Sequence, residues 1–153
     1  MSRSSDVIKC IAGKTLATAE SCTGGGIGAA LTAVSGSSAV YKGGVVSYTD
    51  EVKRSLLGVS SDALELHGAV SAQVALQMAA GIRKLLDTDI AISVTGLAGP
   101  GGDEFENPIG LVYIGYEDRR NSTVRKYLFD GDREAVRQQA VEAALMLILQ
   151  YNK

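Results

Sequence analysis

The sequence predicts an α/β protein: a three-layer α/β/α sandwich around a mixed, mostly parallel sheet of about five strands. Three observations carry that expectation. Short apolar or Val- and Tyr-rich stretches with strand character recur at 14–19, 40–49, 89–95, 109–116 and 122–129. Stretches with helical periodicity separate the first three, which is the βα alternation of a parallel sheet. Only residues 117–121 separate the last two, a spacing that predicts an antiparallel hairpin added to the βα units.

Each element has a local reason. Residues 14–19 read as a short buried strand, and 24–34 as a helix of small residues ending before Ser35-Gly36-Ser37-Ser38. The second strand, 40–49, leads into a short helix over 50–57, with Thr49 as its N-cap and Gly58 as its stop. Asp62 and Glu65 have capping-box spacing and predict a brief helical turn before Gly68. Ser71 caps a longer helix running to about 87, whose apolar face is marked by Val74, Leu76, Met78, Ile82, Leu85 and Leu86. The continuous apolar run at 89–95 is the pattern of a strand covered on both faces. It stops abruptly at a Gly-rich loop, 96–102, that continues through Asp103, Glu104, Glu106 and Pro108, and loops of that length in compact domains are often functional. Residues 133–151 close the chain as a helix.

Composition bounds the function. The 153 residues fit one domain, and 46% of them are hydrophobic. With a mean hydropathy of +0.12, the chain lies outside the disordered class. No apolar run approaches the roughly 20 residues of a spanning helix, and the run at 7–12 is too short for a secretory signal. A cytoplasmic protein without membrane contact is therefore expected. The net charge of −2 and the absence of a Lys/Arg cluster argue against binding nucleic acid. Cys10 and Cys22 lack metal-binding or CxxC spacing, so neither a zinc site nor a disulfide is expected. A small protein with apolar helices can pair, which leaves a homo-oligomer open.

The chemistry concentrates in Thr18-Ala19-Glu20-Ser21-Cys22-Thr23-Gly24-Gly25. A strand ending in small polar residues and turning into a helix exposes hydroxyls and free N–H groups to an anion or a developing oxyanion. Ser21 is the candidate nucleophile, and it needs a base. The one histidine, His67, sits near a turn and reads as structural, and the GxSxG elbow is missing. Lys53 is the alternative. It lies in the first turn or so of the helix after the second strand, where the positive end of the helix dipole disfavours an ammonium and partial burial would lower its pKa further. Asp50 and Glu51 oppose both effects, and a solvated helix-face lysine is the bland reading.

Ligands in open α/β sheets settle outside the carboxyl ends of strands, so Ser21, residues 49–53 and residues 96–102 are expected to converge. The glycines at 24–26 serve either close helix packing or a phosphate. Glu20 orients Ser21, binds a ligand hydroxyl, or caps the turn. Arg133 and Arg137, spaced i,i+4, either meet a phosphate or pair with acids. Tyr41 and Tyr48 have opposite parity on their strand, so only one faces a cleft. Asp103, Glu104 and Glu106 are as readily a flexible acidic loop as a cation site, and no metal is expected.

Taken with Gly36-Ser37-Ser38, Gly43-Gly44-Val45-Val46-Ser47-Tyr48-Thr49, His67-Gly68-Ala69-Val70-Ser71, Thr95-Gly96-Leu97-Ala98-Gly99-Pro100-Gly101-Gly102 and Gly131-Asp132-Arg133, the Ser21 run resembles the CinA C-terminal domain family over about residues 16–149. Stand-alone members of the family are nicotinamide-nucleotide amidases. The resemblance implies an α/β/α fold and deamidation of nicotinamide mononucleotide to nicotinate mononucleotide and ammonia, with Ser21 as nucleophile, Lys53 as base, and neither metal nor organic cofactor. It implies a nucleotide site at Glu20, Thr23, Gly24, Gly25, Tyr48, Thr95, Gly96, Gly99, Arg133 and Arg137, with backbone N–H groups near Ser21 at the oxyanion. It also implies a helix before Leu16, here shorter than the family's. The loop departs from the family pattern at Asp103 and Asn107, and Leu111 stands where threonine is usual. A catalytically silent nucleotide-binding module, or an amidase for another pyridine or amide substrate, are the alternatives.

Overall fold

The computed structural model describes residues 2–153. Its elements are α1 (Arg3–Cys10), β1 (Leu16–Glu20), α2 (Gly26–Thr32), β2 (Tyr41–Val46), α3 (Asp50–Leu57), α4 (Ser61–His67), α5 (Ala72–Leu86), β3 (Ile90–Gly96), β4 (Leu111–Glu117), β5 (Ser122–Leu128) and α6 (Arg133–Asn152), with one 3-10 turn at Ser37–Ala39. The sheet order is β2-β1-β3-β4-β5. β1 pairs in parallel with β2 and β3, whereas β4 is antiparallel to both β3 and β5. Four strands therefore run one way and only β4 is reversed, the mixed and mostly parallel sheet expected.

Strand alternation divides the core between two helical layers. Leu16, Ile90, Ile92, Val94, Val112, Ile114 and Tyr116 meet α1, α2 and α6, where Val7, Ile27, Leu31, Val136, Leu145 and Ile148 are buried. Their neighbours Ala17, Ala19 and Ala91 meet Leu57, Ala63, Leu64, Val74, Met78 and Ile82 of α3, α4 and α5. The second face is built of small residues, and α5 lies close against it. Ser93 Oγ donates to the Ala75 carbonyl at 2.6 Å, and a Cβ on Gly115 would stand 2.5 Å from that same oxygen. β3, central and packed on both sides, is buried from Ile90 to Thr95, as its continuous apolar run requires.

Several boundaries differ from the sequence reading. α2 is shorter than 24–34, because Gly24 and Gly25 adopt φ of +59° and +98° and belong to the preceding turn. β2 ends at Val46, so Tyr48 lies beyond the strand and the parity argument does not apply to it. α4 is capped by Ser60, whose Oγ accepts from the Ala63 N–H at 3.1 Å, and Asp62 sits inside the helix. α1, which only the family resemblance implied, starts from Ser2 Oγ accepting from the Ser5 N–H. It buries Val7 and Ile8, together with Ile11 just past its end, in the α2/α6 layer. Among the described residues no helix is long and apolar enough to cross a membrane.

Candidate active site

Three strand ends meet beside Ser21. The Ser21 N–H donates to the Val94 carbonyl of β3 at 2.9 Å, and the Ser47 N–H donates to the Glu20 carbonyl at 2.8 Å, so the ladder continues one residue past β1 on the β3 side and one residue past β2 on the other. α3 then starts at Thr49, whose Oγ1 accepts from the Val52 N–H. One turn later Lys53 points inward, on the same face as Leu57.

The result is a buried pair. Lys53 Nζ lies 3.1 Å from Ser21 Oγ and donates to the Ser47 carbonyl at 2.8 Å. Lys53 is 1% exposed and Ser21 8%. Burial pushes the Lys53 amine below its ordinary 10.5, against smaller opposing effects of Asp50 and Cys22. Among the described residues no carboxylate is ion-paired with Lys53. A neutral lysine in this position keeps a lone pair free for the Ser21 hydroxyl proton while one of its N–H groups serves Ser47. Cys22 is buried next to the pair, and desolvation pushes its thiol up to about 11, which keeps it protonated and a poor rival nucleophile.

The pair opens into a cleft of about 350 Å³, lined also by Cys22, Tyr48, Asp50, Ala69, Val70, residues 95–102 and Arg133. Arg133, the first residue of α6, donates to the Gly99 carbonyl at 2.8 Å and to the Tyr48 hydroxyl at 2.9 Å, joining the Gly-rich loop to the connection between β2 and α3. Thr95 is buried and donates to the Ala69 carbonyl at 2.7 Å, which holds the segment before α5 against the cleft. The loop beyond is folded on itself. Asp103 accepts from the N–H groups of Phe105 and Asn107 and from Asn107 Nδ2, so its carboxylate is committed within the loop.

Of the residues the sequence singled out, Ser21, Lys53, Tyr48, Thr95, Gly96, Gly99 and Arg133 border the cleft, and Tyr41 does not. Glu20, Thr23, Gly24, Gly25 and Arg137 are not among its lining either; they build the turn behind Ser21. Glu20 accepts from Thr23 Oγ1 at 2.6 Å and from the N–H groups of Ile27 and Gly28 at 2.9 and 3.0 Å, the capping reading of this residue. Arg137 donates to the carbonyls of Cys22 and Thr23 rather than pointing into the cleft. His67 is exposed at the end of α4 and also lies outside the lining. Ala69 and Val70 also line the cleft; they belong to a run that carries the family resemblance, but two apolar residues between a glycine and a cap do not by themselves mark a ligand contact. Glu20 was legible in principle. It shares strand parity with Leu16, which faces the α2/α6 layer and not the α3/α5 layer from which Lys53 reaches in.

Fold and site together define an α/β/α protein with a buried lysine-serine pair at the carboxyl ends of its parallel strands. The chain belongs to the CinA C-terminal domain family, whose model matches residues 5–152. It is 60% identical over 102 residues to a CinA-like protein of Synechococcus sp. (strain CC9311), covering 67% of this chain and 24% of that one. To a CinA-like protein of Parasynechococcus marenigrum it is 51% identical over 135 residues, 87% of this chain and 32% of the relative. The chain thus spans about a quarter to a third of the length of these curated relatives. Solved structures match over nearly their whole length. The competence-damaged protein (CinA) superfamily protein from Enterobacter cloacae gives a TM-score of 0.95 at 33% identity, covering 99% of this chain and 90% of that one. The competence/damage inducible protein CihA from Agrobacterium tumefaciens gives 0.92 at 40% identity, covering 99% and 94%.

Proposed function

We propose that the chain is an amidase that hydrolyses the carboxamide of nicotinamide mononucleotide to nicotinate mononucleotide and ammonia, with Ser21 as nucleophile and Lys53 as base. The observation that carries this reading is the 3.1 Å approach of Lys53 Nζ to Ser21 Oγ, with the lysine buried and its pKa depressed. The substrate class comes from the family resemblance. A cleft of about 350 Å³ is within the ordinary range for a small-molecule site, roughly 300–1,000 Å³.

Ser21 Oγ attacks the carboxamide carbon while its proton passes to neutral Lys53, leaving a tetrahedral oxyanion. The Ser21 N–H is committed to Val94, so the oxyanion donors are the following N–H groups of the turn, from Cys22 and Thr23, which have no backbone acceptor among the described residues. Collapse breaks the C–N bond, and the Lys53 ammonium returns its proton to the leaving nitrogen, which departs as ammonia. Water then attacks the acyl ester on Ser21, giving its proton to Lys53. The ester bond breaks, Ser21 recovers that proton, and nicotinate leaves as the carboxylate, its proton lost to solvent.

Ammonia release from nicotinamide mononucleotide by the purified chain tests this reading. Turnover is expected, with none in Ser21→Ala. Nucleotide binding without turnover would replace the reading with a silent binding module, and turnover only of other amides would replace the substrate.

A further inference from the structure

Behind the nucleophile lies a buried polar assembly that no step above uses. Glu20 is 2% exposed, and both of its carboxylate oxygens are committed: Oε1 to the Thr23 hydroxyl at 2.6 Å and the Ile27 N–H at 2.9 Å, Oε2 to the Gly28 N–H at 3.0 Å. On the other side, Arg137 of α6 donates through Nε to the Cys22 carbonyl at 3.0 Å and through Nη2 to the Thr23 carbonyl at 3.2 Å. A Cβ on Gly24 would stand 3.2 Å from that guanidinium.

The two side chains grip opposite functions of one short turn. Arg137 takes the Cys22 carbonyl, which turns the Thr23 N–H of the same peptide the opposite way, because a planar trans peptide carries its N–H opposite its C=O. It also takes the Thr23 carbonyl, which fixes the peptide of the Gly24 N–H, and that N–H donates to the Ser21 carbonyl at 3.0 Å and so sets the Ser21–Cys22 peptide with the Cys22 N–H on its far side. Glu20 takes the Thr23 side chain and ties it to the first amides of α2. Neither residue reaches the cleft. From this geometry we infer that Glu20 and Arg137 are positioning residues for the proposed amide hydrolysis, setting Ser21 and the Cys22 and Thr23 N–H groups against the substrate without touching it. The inference rests on the amidase reading for its reaction, and on the clamp geometry alone for the residues.

Glu20→Gln is the sharpest variant. It keeps the volume and one acceptor oxygen, but an NH2 group then opposes one of the three donors that the carboxylate accepts. Thr23→Val removes the hydroxyl that meets Glu20 Oε1 while leaving the backbone in place, and Thr23→Ser restores it. Because a displacement of about 1 Å at a reacting group can cost about 10²-fold, kcat for nicotinamide mononucleotide should fall about 10- to 100-fold in Glu20→Gln and Thr23→Val. KM should stay within about twofold, the alkaline rise of the rate profile set by Lys53 should not move, and Thr23→Ser should recover most of the loss. Arg137→Lys, which keeps the charge but loses the two-point grip, should behave like Glu20→Gln.

A second readout is independent of substrate: the rate at which a fluorophosphonate labels Ser21, which reports serine activation directly. It should fall in parallel with kcat. If the wild type labels at Ser21 but releases no ammonia, the substrate assignment fails while the clamp is still tested by labelling. The inference is overturned if the variants keep wild-type kcat and labelling rate, or if KM rises at unchanged kcat, which would make these residues ligand contacts. It is likewise overturned if a folded Thr23→Ser is as impaired as Thr23→Val.

Discussion

Replacing Lys53 by methionine separates catalysis from folding. The side chain is 1% exposed, and methionine is also unbranched and of similar length, so packing around it is preserved. What disappears is the amine 3.1 Å from Ser21 Oγ and its bond to the Ser47 carbonyl. A positioned general base contributes about 10²–10⁴-fold, equivalent to about 3–5.5 kcal/mol of barrier at about 1.4 kcal/mol per decade. The stability ledger is different. Leaving the Ser47 carbonyl without its donor costs about 1–3 kcal/mol, and removing an amine from an apolar site returns a comparable desolvation term. The net change should stay within about 1.5 kcal/mol, or about 3–6 °C in Tm for a domain of this size. Ammonia release and thermal melting, measured on one preparation, read the two quantities. A Lys53→Met protein that retains activity within about tenfold of wild type would refute the base assignment. One that melts well below that range would mean that the lysine holds the fold.

Three further outcomes follow from the same structure. Since burial depresses the Lys53 pKa and the reaction needs the neutral amine, kcat/KM should rise with pH to a midpoint below 10.5. Because the unfolded chain holds that proton longer than the folded one, stability should also rise with pH between the folded value and 10.5; Lys53→Met should lose both dependences, and a rate profile flat across neutral and alkaline pH contradicts this. A Cβ at Gly81 would lie 1.8 Å from the Leu57 carbonyl, so Gly81→Ala should force α5 from α3 at about 1–3 kcal/mol or more, seen as a Tm lower by at least about 2–4 °C. With its thiol at about 11, Cys22 should resist iodoacetamide near pH 8 while the partly exposed Cys10 is alkylated first, as peptide mass spectrometry would show.

The order of elements was legible because each rests on a local pattern. The unbroken apolar run of β3 marks a strand covered on both faces, the short link between β4 and β5 marks their hairpin, and the rule that ligands gather at strand ends brings Ser21, Lys53 and the loop after β3 together, whereas the strand order is visible only in the fold. Details that depend on which way a side chain leaves a turn were harder to read. Glu20 and Arg137 are charged residues near a nucleophile, and composition offers them equally to a ligand or to the backbone. Only the fold shows that α6 delivers Arg137 to the carbonyls behind the turn, while Arg133, one helical turn earlier, meets Gly99 and Tyr48 at the cleft. Tyr48 escaped the parity argument because β2 ends two residues before it. α1 is short and polar on one side, and its buried face shows only once α6 is there to receive it.

The proposed hydrolysis passes through a covalent ester at Ser21. Acid quenching of the chain during turnover of nicotinamide mononucleotide, followed by peptide mass spectrometry, should find the nicotinyl nucleotide acyl group on the peptide carrying Ser21, and none in Ser21→Ala. Ammonia release that persists in Ser21→Ala, with no acylated peptide in the wild type, would contradict it.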